Sequence, residues 1–233
     1  MNWRQRSYEK ELLDDQSIPF EEIRVNMKEL DTINHWLGGH AITIQGMRKL
    51  VGLEAKRSGR TSISVCEIGC GGGDNLRVIR DWARKQGIRV ELTGIDINPS
   101  CIRFAAGRLP EARFIESDYR LVNFEENPDI IFSSLFCHHF NEEELVDQLK
   151  WMRARSRTGF FINDLHRHRL AWLSIKILTG FLSRSRLVKN DAPLSVQRGF
   201  SRAELNALLL RSGINEYYIH WKWAFRWLVT VPC

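Results

Sequence analysis

Between residues 62 and 165 the chain alternates short apolar runs with segments in which apolar residues recur every three or four positions. The runs are SISVCEIG, VELTGID, ARFIESD, DIIFSSLF and GFFINDL, and helical segments between them cover residues 74–85, 100–108 and 142–155. Strands that alternate with helices pair in parallel, because a parallel neighbour needs a long crossover connection. The alternation therefore predicts an α/β fold with a doubly wound, mostly parallel sheet.

Helical patterns precede this region. Apolar residues recur with helical spacing after Pro19 until Gly38, and a second, weaker helix follows. A polar link over residues 55–62 separates that helix from the first strand. We expect residues 1–60 to form a helical cap and residues 61–165 to form the core of the domain.

The alternation breaks after the fifth strand. Residues 166–200 contain an apolar segment followed by the polar, turn-rich stretch SRSRLVKNDAPLS. Because this insertion follows the carboxyl end of a parallel strand, where open α/β sheets bind ligands, we expect a helical lid, with an ordinary core helix as the alternative. Residues 201–233, with a helix over 201–211 and the strand-like runs EYYIHW and FRWLVTV, are expected to complete the core.

The charge and hydropathy patterns exclude several classes of partner. The 34 Lys and Arg exceed the 28 Asp and Glu, but the charges form no long block and no basic run is interleaved with aromatic residues. We therefore expect no nucleic-acid binding. The apolar stretch over residues 171–182 is too short to span a bilayer and is interrupted by Lys176 and Gly180, so no integral membrane segment is expected.

The cysteines indicate a reducing compartment. Their number is odd, and their spacing contains no CxxC pair: they are Cys66, Cys70, Cys101, Cys137 and Cys233. An incomplete disulfide framework and a polar amino terminus without a secretory signal pattern predict a cytoplasmic protein. The sequence leaves open whether it is a monomer or a homodimer.

A glycine-rich segment, VCEIGCGGGDN, follows the first strand and begins the next helix. Bare backbone at this point lets a ligand approach closely, and the helix amides offer hydrogen-bond donors. A dinucleotide fingerprint would need glycine at position 74, where the chain has Asp74, a poor neighbour for a pyrophosphate. An NAD-dependent oxidoreductase is thereby disfavoured. Glu67 instead lies two residues before the first glycine, where a carboxylate suits a cationic ligand.

Two more carboxylates follow the next two strands. Asp96 ends the second strand, where it can accept hydrogen bonds from ribose hydroxyls, and Asp118 follows the third, where it or a neighbour can accept from an adenine amino group. Together with Glu67 they describe a site for a nucleoside that carries an amino acid. S-adenosylmethionine (SAM) is such a ligand.

The segments VCEIGCGGG, GIDINPS, FIESDY and DIIFSSLFCHHF occur in the order found in class I SAM-dependent methyltransferases, and the chain resembles that family over roughly residues 60–165. The resemblance implies a Rossmann-like sheet of seven strands whose last strand is antiparallel. It also implies SAM as cofactor. The residues expected to bind it are Glu67, Gly69, Cys70, Gly71, Gly73, Asp96, Ile97, Ser117, Asp118, Tyr119 and Leu135.

Two histidine clusters follow the fourth and fifth strands, at the edge where this family transfers the methyl group. Removal of a proton from a hydroxyl acceptor needs a base within hydrogen-bond reach. We expect His139 to be that base, with His166 as the competitor and Asp164 as an orienting carboxylate. Each histidine has a purely structural role as its alternative. The spacing of these residues specifies no metal ion, so no metal is expected.

The tracts NDLHRHRLAW and LVKNDAPLSVQRGF resemble bacterial methyltransferases of the ubiquinone-biosynthesis type and relatives from polyketide and phenolic-lipid pathways. This likeness implies a small, apolar, hydroxylated aromatic acceptor, methylated on oxygen. Methylation of a quinol or polyketide carbon and a non-catalytic SAM-binding module are the alternatives. Four aromatic residues would line such a pocket if the cap folds over it, or would be plain core: Phe20, Trp36, Trp172 and Phe181.

Overall fold

The structure is a computed structural model that describes residues 3–15, 17–58 and 62–233. Its helices are α1 (Phe20–Trp36), α2 (Gly39–Ser58), α3 (Asp74–Lys85), α4 (Pro99–Arg108), α5 (Glu142–Arg155), α6 (Arg169–Leu182), α7 (Arg186–Arg198) and α8 (Arg202–Arg211). Its strands are β1 (Ser62–Ile68), β2 (Arg89–Asp96), β3 (Arg113–Glu116), β4 (Ile130–Ser134), β5 (Gly159–Leu165), β6 (Tyr218–Lys222) and β7 (Arg226–Pro232). The predicted polar link is helical up to Ser58, and residues 59–61 lie outside the described ranges.

Within the described residues, seven strands form one sheet in the order β3-β2-β1-β4-β5-β7-β6. Strands β1 to β5 are parallel, and β7 lies antiparallel between β5 and β6. The predicted Rossmann-like sheet with an antiparallel last strand is thus confirmed. One connection differs from the predicted alternation, because a short 3-10 turn and a loop, rather than an α-helix, link β3 to β4.

The central strands are buried on both faces, as expected of a sheet covered by helices on each side. Successive residues of β1 contribute to opposite cores: Cys66 packs in the cluster with α5 and α8, whereas Val65 packs with α2 and α3. Helix α2 lies very close to the sheet at Gly46, where an added Cβ would come within 2.6 Å of the Phe161 ring. The apolar runs of the sequence therefore form the middle of the sheet.

Helix α1 begins and ends where the sequence indicates. Pro19 precedes the first residue of α1, and Gly38 adopts a positive φ of 74° between α1 and α2. The buried residues Ile23 and Met27 of α1 pack against Phe104 of α4. This packing holds α1 across the carboxyl edge of the sheet.

The segment predicted to be turn-rich is helical instead. Ser185 caps α7, and Pro193 lies inside the helix, where its ring removes one backbone hydrogen bond. The side chains of Leu187 and Val188 are buried, so packing outweighs the low helix propensity of this sequence. The carboxylate of Asp191 accepts hydrogen bonds from the backbone of residues 12 and 13, which ties α7 to the amino-terminal segment.

Candidate active site

A cavity of about 420 Å³ opens at the carboxyl edge of the sheet, beyond β1, β2, β3 and β4. Its volume lies in the range of pockets that hold cofactors and small ligands. Ten of the residues expected to bind a cofactor line it: Glu67, Gly69, Cys70, Gly71, Asp96, Ile97, Ser117, Asp118, Tyr119 and Leu135. The exception is Gly73, which packs against Ala105 and Phe114. Chain topology thus brings residues from the ends of the four strands β1 to β4 to one place.

The three glycines expected to contact a ligand all adopt positive φ angles, but they do so for different reasons. A Cβ added to Gly69 would come within 2.2 Å of the Phe136 ring, so this glycine makes room for a protein side chain. A Cβ added to Gly71 would lie 3.5 Å from the Met27 sulfur, which is an ordinary contact distance. Gly71 also lines the cavity, so it is the open point of the loop.

Glu67 offers an unsatisfied acceptor at the end of β1. Its Oε1 atom accepts a hydrogen bond from Asn75, whereas its buried Oε2 atom has no hydrogen-bond partner among the described residues. Burial, together with the nearby carboxylates of Asp74 and Asp96, raises the pKa of Glu67 well above its ordinary value. A cationic group in the cavity would compensate this carboxylate and supply the missing donor.

Asp96 ends β2 and is held by backbone amides. Its Oδ2 atom accepts from the amide of Gly71 at 2.8 Å, and Oδ1 accepts from the amide of Asn98 at 2.9 Å. Burial raises the pKa of Asp96 although these two hydrogen bonds oppose the shift. The carboxylate is therefore fixed relative to the glycine loop. Ile97, beside it, is 60% exposed at the cavity, as expected of an apolar side chain that packs on a ligand.

The carboxylate of Asp118 is hydrogen-bonded to Arg120, two residues along the chain. It accepts hydrogen bonds from the backbone and side chain of Arg120, which lowers the pKa of Asp118. Tyr119 is buried beside it and packs edge-on against Phe136 and Phe140. These aromatic rings form an apolar wall of the cavity.

The histidines expected to act in catalysis lie in different surroundings. His139 lines the cavity, with its Nδ1 atom 3.2 Å from Oδ1 of Asp14. His166 does not line the cavity, because its ring packs against Trp227 and His168 and accepts a hydrogen bond from Trp221. The structure therefore brings His139, but not His166, to the glycine loop.

Asp164 is completely buried and contacts a different histidine from the two expected. Its Oδ1 atom lies 2.8 Å from Nδ1 of His138, and Oδ2 accepts a hydrogen bond from the His138 amide. Asp164 is absent from the cavity lining. It lies beneath the turn that carries His139.

Comparisons with known proteins identify the domain. Residues 65–159 match the family model of a methyltransferase domain. A plantazolicin methyltransferase in complex with a pentazolic desmethylPZN analogue and SAH has a TM-score of 0.61 at 17% identity, over 94% of this chain and 88% of that one. The magnesium protoporphyrin IX methyltransferase from Synechocystis PCC 6803 with bound SAM has a TM-score of 0.51 at 12% identity, over 82% and 78%.

A SAM-dependent methyltransferase from Aquifex aeolicus has a TM-score of 0.53 at 14% identity, over 73% of this chain and 81% of that one. The TM-scores show a shared fold at low sequence identity. No curated protein sequence matches the chain. The family match covers the same strands and glycine loop that line the cavity. The chain carries a class I SAM-dependent methyltransferase domain. Its cofactor is SAM.

The methyltransferase contains a buried network of carboxylates and histidines beneath its cavity. His138 lies between Asp164 and Glu11, whose Oε1 atom is 3.4 Å from the His138 Nε2 atom. Burial lowers the pKa of His138, but the two carboxylates outweigh burial and raise this pKa to about 9. Glu11 also lies 3.6 Å from Nε2 of His139. The amino-terminal segment therefore contributes charge to the site.

Two buried arginines hold the turn that carries the histidines. Arg6 and Arg198 both donate hydrogen bonds to the carbonyl oxygen of His138, and Arg198 also donates to the carbonyl oxygen of His139. Neither these arginines nor Glu11 follows a strand of the methyltransferase core. Sequence reasoning missed them because no local pattern links residues that are 59 to 132 positions apart in the chain.

The cap also contributes to the cavity of the methyltransferase. Sequence reasoning missed its lining residues: Lys10, Leu13, Asp14, Met27, Leu30 and Asn34. The aromatic residues considered as lining, Phe20, Trp36, Trp172 and Phe181, are absent from it. Helical spacing identified the apolar face of α1, and only the packing decided which of its residues reach the cavity.

Two groups of side chains in the described residues could hold a metal ion. Glu11, His138 and His139 form the first, and Asp31, His40 and Asp74 form the second; in each, the ligand-type atoms lie within 4.8 Å of one another. In the second group His40 already bonds Asp74 at 2.7 Å. The expectation that the methyltransferase uses no metal remains a prediction.

Proposed function

We propose that the protein transfers a methyl group from SAM to a hydroxyl of a small, apolar, phenolic or polyketide-type aromatic acceptor, with His139 as general base. The observation that carries this proposal is that an imidazole and an apolar wall share one cavity with the glycine loop. A phenol has a pKa near 10, so a base is needed to remove its proton at neutral pH.

Four of the residues expected to bind the cofactor have specific roles in this proposal. Glu67 accepts from the cationic amino group, because its Oε2 atom is buried without a donor. Asp96 accepts from ribose hydroxyls while its backbone hydrogen bonds hold it at the glycine loop. Asp118 or its neighbours accept from adenine, and Ile97 packs on the ring. When bound, SAM supplies a methyl group on a sulfonium, which is already activated for displacement.

The surroundings of His139 support its role as a base. Asp14 contacts its Nδ1 atom and so orients the ring, while the ring is about one-fifth exposed toward the cavity. A neighbouring carboxylate stabilises the imidazolium that forms when the base takes a proton. His166 packs among aromatic rings away from the cavity, so we assign it no proton transfer.

The acceptor is proposed to be apolar and aromatic because apolar and aromatic side chains form the cavity wall. Tyr119, Phe136 and Phe140 meet edge-on, and Leu13, Met27 and Leu30 contribute from the cap. Such walls favour planar apolar ligands through burial and aromatic contacts. The remaining parts of the proposal are a cytoplasmic location, a monomer or homodimer, and a lid function for residues 166–200.

The test is an assay with methyl-labelled SAM and a panel of alkylated phenols, quinols and amines. We expect labelled products whose methyl carbon resonates as a methoxy group in NMR spectra. A ring-methyl resonance would replace O-methylation with C-methylation, and labelling of amines alone would exclude a phenolic acceptor. SAM binding without any product across the panel would support the non-catalytic module.

A further inference from the structure

Helix α6 presents an apolar face that nothing in the described structure covers. One side of the helix, with Ala171, Ile175 and Thr179, is buried. The opposite side exposes large apolar residues at i, i+3, i+7 and i+11, with exposed fractions of 58% for Leu170, 47% for Leu173, 52% for Ile177 and 85% for Phe181. These four residues, which we name the α6 face, span roughly 16 Å at 1.5 Å per residue.

Two exposed tryptophans adjoin the cluster on which α6 packs. Trp36, 66% exposed, is next to Leu37, which packs against the buried side of α6. Trp223, 69% exposed, contacts Phe225, which packs in the same cluster. Tryptophan rings at the edge of an apolar surface are typical of the interface between a bilayer and water.

The charge around the α6 face has one sign. No Asp or Glu occurs between residues 165 and 190. Arg169, Lys176 and Arg184 are exposed, and none has an ion-pair partner among the described residues. The carboxylate of Glu29, which lies at the end of α6, already accepts hydrogen bonds from the backbone amides of Arg184 and Ser185. The α6 face is therefore apolar in its centre and cationic at its margin.

We propose that the α6 face docks this protein on the surface of an anionic lipid bilayer. A row of exposed apolar side chains with cations at its margin matches a surface that is apolar below and negatively charged above. A second copy of the chain fits less well, because the same cationic margin would face itself. No helix of the described residues is both long and apolar enough to cross a bilayer, so the contact is peripheral.

The proposal goes beyond methyl transfer and does not depend on the acceptor. None of the α6 residues lines the cavity, so variants on this face leave SAM binding intact. Helix α1 lines the cavity with Met27 and Leu30, and its Ile33 packs with the buried side of α6. A docked α6 would thus hold the cap of the enzyme near the bilayer.

The experiment is co-sedimentation of the full chain with phosphatidylcholine vesicles, with and without phosphatidylglycerol. The double variant Ile177→Gln/Phe181→Gln is compared with Leu210→Gln, an equally polar change at an exposed leucine on α8. We expect binding to the anionic vesicles to fall about tenfold in the double variant, since two apolar side chains no longer enter the bilayer. Leu210→Gln is expected to bind like the wild type.

Lys176→Glu supplies a second test, which does not depend on the folding of the double variant. It should weaken binding to anionic vesicles severalfold. Because the Lys176 ammonium lies 4.7 Å from the centre of the Trp172 ring, the lost contact should lower the thermal unfolding temperature only slightly. Failure of the folded wild type to sediment with any vesicle would overturn the proposal, as would undiminished binding of the double variant. A wild-type dimer that becomes a monomer in the double variant, without vesicle binding, would instead assign the α6 face to a second copy.

Discussion

The Nδ1 atom of His138 lies 2.8 Å from the Oδ1 atom of Asp164, and both side chains are buried at the end of β5 and the turn after β4. On the other side of the ring, Glu11 approaches Nε2. The three side chains connect the sheet, the histidine turn and the amino-terminal segment. An imidazole between two carboxylates binds its proton tightly. Its contribution to stability must therefore depend on pH.

We expect stability to fall as the pH rises from about 6.5 to about 9. The folded pKa of His138, about 9, exceeds its ordinary value of 6.5, so its contribution is complete below 6.5 and is lost as the pH rises through 9. Linkage gives a loss of roughly 3 kcal/mol in the free energy of unfolding. Urea unfolding at a series of pH values measures this change.

The control for this prediction is the same series with His138→Gln. The difference between wild type and variant should shrink across this pH window, because glutamine does not titrate. Wild-type and variant curves that run parallel from pH 6.5 to 9 would show that His138 is not the group responsible.

Gly69→Ala should destabilise the fold by about 2–5 kcal/mol. Its φ of 65° disfavours alanine, and the new Cβ would lie within 2.2 Å of the Phe136 ring. Gly107→Ala in α4 is the matched control, since nothing lies within 4 Å of its added Cβ, and it should stabilise the protein by up to about 1 kcal/mol. Denaturant unfolding measures both, and equal effects would contradict the close contact with Phe136.

Asp96→Ala should weaken SAM binding on the order of 100-fold in calorimetric titration. The change removes the proposed ribose acceptor and the carboxylate that holds the Gly71 amide. Glu116→Ala is the control, because Glu116 is paired with Asp96 in the sheet but is exposed and absent from the cavity lining. Unchanged affinity in Asp96→Ala would remove the proposed cofactor site.

His139→Gln should lower the turnover number by about 100-fold or more while the SAM dissociation constant changes little, because the residue is proposed to act on the acceptor. His166→Gln should leave both quantities within about twofold, since its ring lies outside the cavity. Steady-state assays and calorimetry on the same preparations check this. A large loss in His166→Gln with a normal His139→Gln would reverse the assignment.

The sequence by itself determined the elements whose signals are local. Helices α3 and α5 begin and end at the predicted residues, because Gly73 and Asn141 precede them and apolar spacing continues to the end of each. The glycine loop and the carboxylates at the ends of β1, β2 and β3 were predictable too. Their motifs are local, and parallel topology alone brings the strand ends to one edge of the sheet.

Only the tertiary structure decided which side chains surround the proposed acceptor site. Glu11 meets His138 and His139 because α7 holds the amino-terminal segment through Asp191, and no spacing in the chain encodes that contact. The region around Pro193 became helical because burial of its neighbours outweighed its local preference. Hydrogen bonds and buried contacts between residues far apart in the chain have free energies comparable to local helix propensities. Where several such contacts form together, they outweigh the local preference.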